Sequence, residues 1–393
     1  MAGPRTSLLR SRGAHAHARV TNIELFFDLV FVFAVTQLSH SFLHNLTGMG
    51  ALHVLILFLG VWWAWIYTSW VTNWLDPERI AVRILLLVLM LAGLVLSASI
   101  PEAFEGRGPS FALAFAGIQV GRSLFMLWAL RGTEGGNLRN FQRITLWLVA
   151  SGVLWIAGGI AEPEARLPFW IVALAIEYAG PSAGFFVPGL GRSTTADWDV
   201  EGGHLAERCS LFIIIALGES LLVTGATFAE LEWDATAAAA FGIALLGGIA
   251  MWWIYFDTAA ERGSERIAES SDPGRLARLA YTYLHLPMVG GIILTAVANE
   301  LLLSHPEARE PLFDVAVMLG GPLVFLLGNL LFKRAIAGRW PLSHLVGLAL
   351  FVLAAPFLAG MPAMAIAAGA IAILIVTAVW ETVSLRRAAP TPP

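Results

Sequence analysis

The chain has 393 residues, of which 58% are hydrophobic and only 13% charged, with a formal net charge of −4. A soluble domain carries about 25% charged residues, so this composition excludes an ordinary water-soluble globule and points to apolar runs that cross a bilayer. The single cysteine, Cys209, excludes an internal disulfide and any zinc cluster built from cysteines.

Residues 1–20 are polar, contain arginine and histidine, and hold no apolar run. They read as a cytoplasmic N-terminal tail. The apolar run from Ile23 carries Glu24 and Asp28, which suits a permanent first span better than a cleaved signal peptide. A window of ~20 residues then finds twelve spans. They are 22–43, 50–72, 79–100, 110–131, 141–161, 167–188, 205–229, 236–258, 276–303, 311–334, 341–360 and 362–385. Only Gly360-Met-Pro362 separates the last two, so a re-entrant pair is the alternative there.

Basic residues sort by loop. With the N-terminus inside, 19 of the 24 lysines and arginines fall on the cytoplasmic side, and only Arg107, Arg166 and Arg309 fall outside. That bias predicts both termini in the cytoplasm, in a cell membrane. The halves also echo each other. Trp65-Ile-Tyr67 matches Trp253-Ile-Tyr255, and Met90–Glu102 aligns without a gap on Met288–Glu300. The expected architecture is an all-α integral membrane protein with about twelve transmembrane helices in two parallel six-helix repeats. The first repeat covers 21–188, a cytoplasmic linker 189–203, the second repeat 204–387 and a C-terminal tail 388–393.

Charges inside spans are expensive, roughly 2.5–3.5 kcal/mol each at a helix centre on insertion scales, and so mark either function or bundle packing. His204, Arg208 and Glu219 share one stripe of the seventh span, with Glu207 beside it. Glu24 and Asp28 share a face of the first span at i, i+4. They either neutralise Arg208 or Arg122 and pin the bundle, or carry a proton or small cation. Glu177 stands one turn before Pro181, which breaks the helix and frees carbonyls. Glu24, Asp28, Glu177, His204, Glu207, Arg208 and Glu219 are therefore the candidate ion or substrate pathway, and Arg122 is the structural charge partner. Gly117 and Gly121, just before Arg122, form a small-xxx-small pair expected to admit a neighbouring helix. His285, next to Pro287, reads as a packed histidine bonded to a carbonyl.

Enzyme motifs are missing from the sequence. It contains no phosphate-binding glycine loop with lysine, no His-Glu-x-x-His and no Gly-x-Ser-x-Gly. No catalytic residue, metal or cofactor is expected. The arginines form no cluster interleaved with aromatics, which excludes a nucleic-acid surface. The expected partners are the lipid bilayer and a proton or small cation.

Two stretches carry a resemblance. His204-Leu-Ala-Glu-Arg-Cys-Ser-Leu-Phe-Ile-Ile-Ile-Ala-Leu-Gly-Glu219 and Val20-Thr-Asn-Ile-Glu-Leu-Phe-Phe-Asp28-Leu-Val-Phe-Val-Phe-Ala34 resemble the hallmarks of the bacterial low temperature requirement protein A (LtrA) family. Trp62-Trp-Ala-Trp65, Trp252-Trp-Ile-Tyr-Phe-Asp257 and Ala280-Tyr-Thr-Tyr-Leu-His-Leu-Pro287 add to it. Cys209-Ser210 departs from the family pattern, which has a bulky apolar residue and glycine there. The resemblance implies a multi-pass membrane protein associated with growth in the cold. The first helix is also similar to that of TMEM175-type potassium channels, although Phe27 replaces their serine. Three functions follow as expectations: a secondary-transporter-like protein coupled to protons or cations, a cation-conducting channel, or a non-transporting membrane scaffold.

Overall fold

The computed structural model describes residues 7–10, 19–131, 136–194, 201–257 and 273–388. The described residues are all-helical apart from turns and two isolated bridges. The long helices are α1 (Asn22–His44), α2 (Gly48–Trp74), α3 (Ile80–Ser99), α4 (Gly108–Ala129), α5 (Gly136–Ile160), α6 (Pro163–Ser182), α7 (Gly202–Glu230) and α8 (Ala235–Phe256). A turn at Pro273–Ala277 and a π-helical turn at Arg278–Tyr283 lead into α9 (His285–Ser304), followed by α10 (Pro311–Ala337), α11 (Leu342–Leu358) and α12 (Ala363–Ala388).

Local chemistry sets the helix ends. Thr47 caps α2 by accepting from Gly50 N, and Asp234 caps α8 by accepting from Ala237 N. Gly338, at φ 70°, ends α10 in the left-handed conformation that glycine adopts without strain. Ten helical stretches among the described residues are long and apolar enough to cross a membrane. The protein is therefore a multi-pass membrane protein. The exceptions are α6, which carries Glu164, Arg166 and Glu177, and the 17-residue α11. α3 turns Ile84, Leu87, Val88, Leu91, Leu94 and Val95 outward, a face suited to acyl chains.

The chain forms two compact units, Met1–Arg208 and Cys209–Pro393. In the first, α4 packs against α3 and α5, α5 against α6, and α1 against α3. In the second, α9 lies along α10, and α12 contacts α8, α10 and α11. The boundary falls inside α7, so its first turns belong to the first unit.

Two expectations are corrected. Gly117 and Gly121 face outward, and among the described residues nothing lies within 4 Å of an added Cβ, so no described helix packs there. Close approach occurs instead where a Cβ on Gly291 would meet Phe325 N at 2.5 Å, between α9 and α10. Residues 8–10 are not a solvated tail either. Asp76 N donates to Leu8 O at 2.9 Å, and Arg10 N donates to Trp74 O at 2.8 Å, tying the segment to the end of α2. Residues 1–6 and 11–18 of the predicted tail, residues 195–200 of the linker, and the C-terminal tail beyond residue 388 lie outside the described residues.

Candidate functional site

The ends of α1, α2 and α7 bring four of the predicted residues together. Arg208 lies against Asp28 side-on: Nε donates to Oδ2 at 3.2 Å and Nη2 donates to Oδ1. Such two-point guanidinium–carboxylate contacts are the strong, geometrically specific form of the ion pair. Trp65 Nε1 donates to Asp28 Oδ1 at 2.7 Å, and Arg208 Nη1 donates to Thr72 Oγ1 at 2.8 Å and lies 3.5 Å from Glu24 Oε1. The guanidinium also sits 5.9 Å from the ring centroids of both Phe27 and Trp65.

Glu24 is wholly buried and encircled by donors. Arg10 Nη2 lies 3.1 Å from both carboxylate oxygens, and His204 Nε2 lies 2.9 Å from Oε1. Thr21 donates to Oε2 from both its backbone N and its hydroxyl, each at 2.9 Å, which also fixes the first turn of α1. Asn73 sets the histidine tautomer. Its amide is oriented by Glu201, whose N donates to Oδ1 at 3.0 Å and whose O accepts from Nδ2 at 2.8 Å. Nδ2 therefore faces His204 Nδ1 at 3.4 Å, making Nδ1 the acceptor and Nε2 the donor to Glu24. Glu24 and Asp28 thus meet the guanidiniums of Arg10 and Arg208, and the Glu201 carboxylate accepts from His204 N at 2.9 Å.

Arg10 is the member that the sequence reading missed. It has no hydropathy signature of its own, only the apolar pair Leu8-Leu9 before it. Its Nε is 3.0 Å from both Thr72 O and Leu75 O, so one tail residue closes the end of α2 and neutralises Glu24.

A second buried system lies on another face of α2. Arg122 Nη1 donates to Ala64 O at 3.1 Å and to Thr68 Oγ1 at 2.9 Å, while Nη2 donates to Gln119 Oε1 at 2.5 Å. Gln119 Nε2 in turn donates to Glu177 Oε2 at 2.6 Å. Trp155 Nε1 lies 3.1 Å and Ser151 Oγ 2.5 Å from Glu177 Oε1. Arg122 therefore reaches Glu177 through an amide rather than directly, and the side chains placed on this carboxylate are neutral.

The other predicted residues lie apart from these systems. Glu207 is exposed and accepts from Val20 N at 3.2 Å. Glu219 is half-buried on the stretch of α7 that belongs to the second unit. There His285 bonds Ala280 O through Nδ1 at 2.9 Å and the Tyr255 hydroxyl through Nε2 at 2.8 Å. Two loop-anchor readings also change. Lys333 is buried, donating to Ile254 O at 3.1 Å and to Glu381. Arg166 is buried, and its five N–H groups reach the carbonyls of Ala103, Glu105, Gly158, Gly159 and Ala161 at 2.7–3.3 Å. Hydropathy windows place both at span edges and cannot show that the chain folds over them.

Comparison with known proteins gives one consistent outcome. The family described as bacterial low temperature requirement A protein (LtrA) matches residues 19–379. An uncharacterized protein of Rhizobium meliloti (strain 1021) is 43% identical over 368 residues, covering 92% of this chain and 89% of that protein. No solved structure matches. The matched stretch contains both hallmark segments and both buried charge systems except Arg10. The chain belongs to the LtrA family.

Proposed function

We propose that the protein is a secondary-transporter-like protein of the bacterial plasma membrane, coupled to protons through Glu177. The Arg10–Glu24–His204–Arg208–Asp28 network serves as a clamp at one end of the first unit. The observation that carries this reading is the hydrogen balance around Ser151. Its hydroxyl lies 3.2 Å from Ala173 O and 2.5 Å from Glu177 Oε1, yet it has one hydrogen. Spent on the carbonyl, that hydrogen leaves the second contact to a proton on Glu177. When Glu177 gives up its proton, the hydroxyl turns to donate to the carboxylate, and Gln119 links the new charge to Arg122. The site is satisfied in both states, as a group that loads and unloads a proton must be.

All twelve long helices cross the membrane in this reading, as two six-span repeats of one orientation with both termini in the cytoplasm. The sorting of basic residues and the repeated Trp-Ile-Tyr segments support that arrangement.

The scaffold reading has one observation in its favour, the filling of both Glu24 oxygens by protein donors. Liposomes holding a pH dye separate the readings. The transporter releases an imposed pH gradient, and Glu177→Gln abolishes the release together with a carboxyl C=O band in infrared pH-difference spectra. A pH gradient that the wild type leaves standing favours the scaffold, and single-channel currents favour the pore. Full proton flux in Glu177→Gln removes Glu177 from the mechanism.

A further inference from the structure

One end of the second unit holds a cavity of about 370 Å³ enclosed by the end of α10, the start of α11 and the end of α12. Its polar lining is Lys333, Arg339, Ser343, Glu381 and Ser384, and Trp340 and Trp380 form part of its apolar lining. The size lies within the usual range of small-ligand pockets, about 300–1,000 Å³.

Charge selects the ligand. Glu381 is engaged by Lys333, so the one acid in the lining is already neutralised. Arg339 stands just past the Gly338 helix stop, exposed, as the remaining full charge. Arg334 lies 5.4 Å from the Trp340 ring, and Arg386 and Arg387 occupy the last turn of α12. The opposite end of α10 is acidic, with Glu310 before it and Asp314 in its first turn. The Ser384 hydroxyl is spent on Glu381 O at 2.9 Å and the Ser343 hydroxyl lies 3.2 Å from His344 Nδ1, which leaves Arg339 as the group for a ligand. The first turn of α11 follows Pro341 with no side-chain cap.

We infer that this cavity binds the phosphate headgroup of an anionic lipid. The phosphate meets Arg339, and Trp340 and Trp380 line the path by which its glycerol and chains leave towards the bilayer. The apolar residues that surround the charge favour a lipid over a soluble phosphate. Leu342 is exposed at the mouth, and both tryptophans are exposed beside it.

The test uses the full-length protein in neutral detergent micelles doped with phosphatidylglycerol or phosphatidylcholine, with a third arm of inorganic phosphate. Melting temperature and native mass spectrometry read the binding. Phosphatidylglycerol should raise the melting temperature and stay bound, and phosphatidylcholine should do neither. Arg339→Gln should weaken retention about tenfold, as expected for one lost charge-assisted bond. Arg309→Gln, at the opposite end, should leave retention unchanged. Equal retention of the two lipids, or equal losses in the two variants, would overturn the site. A melting shift with inorganic phosphate matching that with phosphatidylglycerol would overturn the lipid assignment.

Discussion

Thr68 and Thr72 lie one turn apart on α2 and serve different arginines. Thr68 Oγ1 accepts from Arg122 and Thr72 Oγ1 from Arg208, at 2.9 and 2.8 Å. Between Trp62 and Trp74 this helix is buried on every side, which is why its sequence is aromatic all round rather than striped. It forms the wall between two charge systems. Replacing either threonine with valine keeps the shape and removes one charged hydrogen bond, at about 1.5–3 kcal/mol. Chemical denaturation of Thr72→Val, Arg208→Met and their double variant should show strong coupling, while Thr68→Val with Arg208→Met should be close to additive.

Arg208→Met removes the guanidinium that Asp28 meets at two points. Breaking one partner of a buried pair costs about 3–5 kcal/mol, so the melting temperature should fall steeply. Adding Asp28→Asn to Arg208→Met removes the orphaned charge and should recover part of the loss. No recovery would mean that Asp28 is held by other groups.

Arg10→Gln tests the tail. It strips Glu24 of its bond to both oxygens and α2 of two carbonyl contacts, a loss of about 1.5–3 kcal/mol for the charged bond alone. Arg10→Lys should rescue only in part, because an ammonium cannot span the carboxylate and the helix end with a fixed fork. Deleting residues 1–10 also removes the backbone bonds of Leu8 and Arg10 to Asp76 and Trp74, so it should cost more than Arg10→Gln in unfolding experiments. A deletion as stable as wild type would show that the segment is dispensable.

The clustering of Glu24, Asp28, His204 and Arg208 was legible because a charge in an apolar run is costly and must find its opposite. The helix positions were legible too, since each predicted span has a helix within several residues of it. Arg10, Arg166 and Lys333 were not. Their partners are carbonyls and acids brought close by tertiary folding, and the signal of such a partner is a position in space rather than a period along the chain. Gly117 and Gly121 mark the converse failure, because two glycines on one helix face do not say whether a helix or lipid lies opposite.

Arg166 should be intolerant of lysine. Five carbonyls, three of them at the end of α5, are satisfied by one planar group. An ammonium has three donors. Arg166→Lys therefore leaves at least two of the five carbonyls without their donor, at about 0.5–1.5 kcal/mol for each lost bond. Thermal unfolding should show the loss, and Arg107→Lys, on an exposed arginine, should not.

Orientation is tested by reporter fusions. Those after Arg139, Arg275 and Arg339 should report cytoplasm, and those after Pro101 and Glu232 the outside. An external signal at Arg275 would end the arrangement of two repeats of one orientation.

The pairing of Asp28 with Arg208 also has a temporal side. The two are 180 residues apart in the chain, so at roughly 5–20 residues per second the acid is made about 9–36 seconds before its partner. During that interval Asp28 must carry a proton or stay in a polar setting, such as the insertion machinery, rather than settle in hydrocarbon. A nascent chain halted at the linker would hold Glu24 with its Arg10 partner already made, and Asp28 still without its arginine. The start of the seventh helix is thus the point in synthesis at which the first unit can become complete.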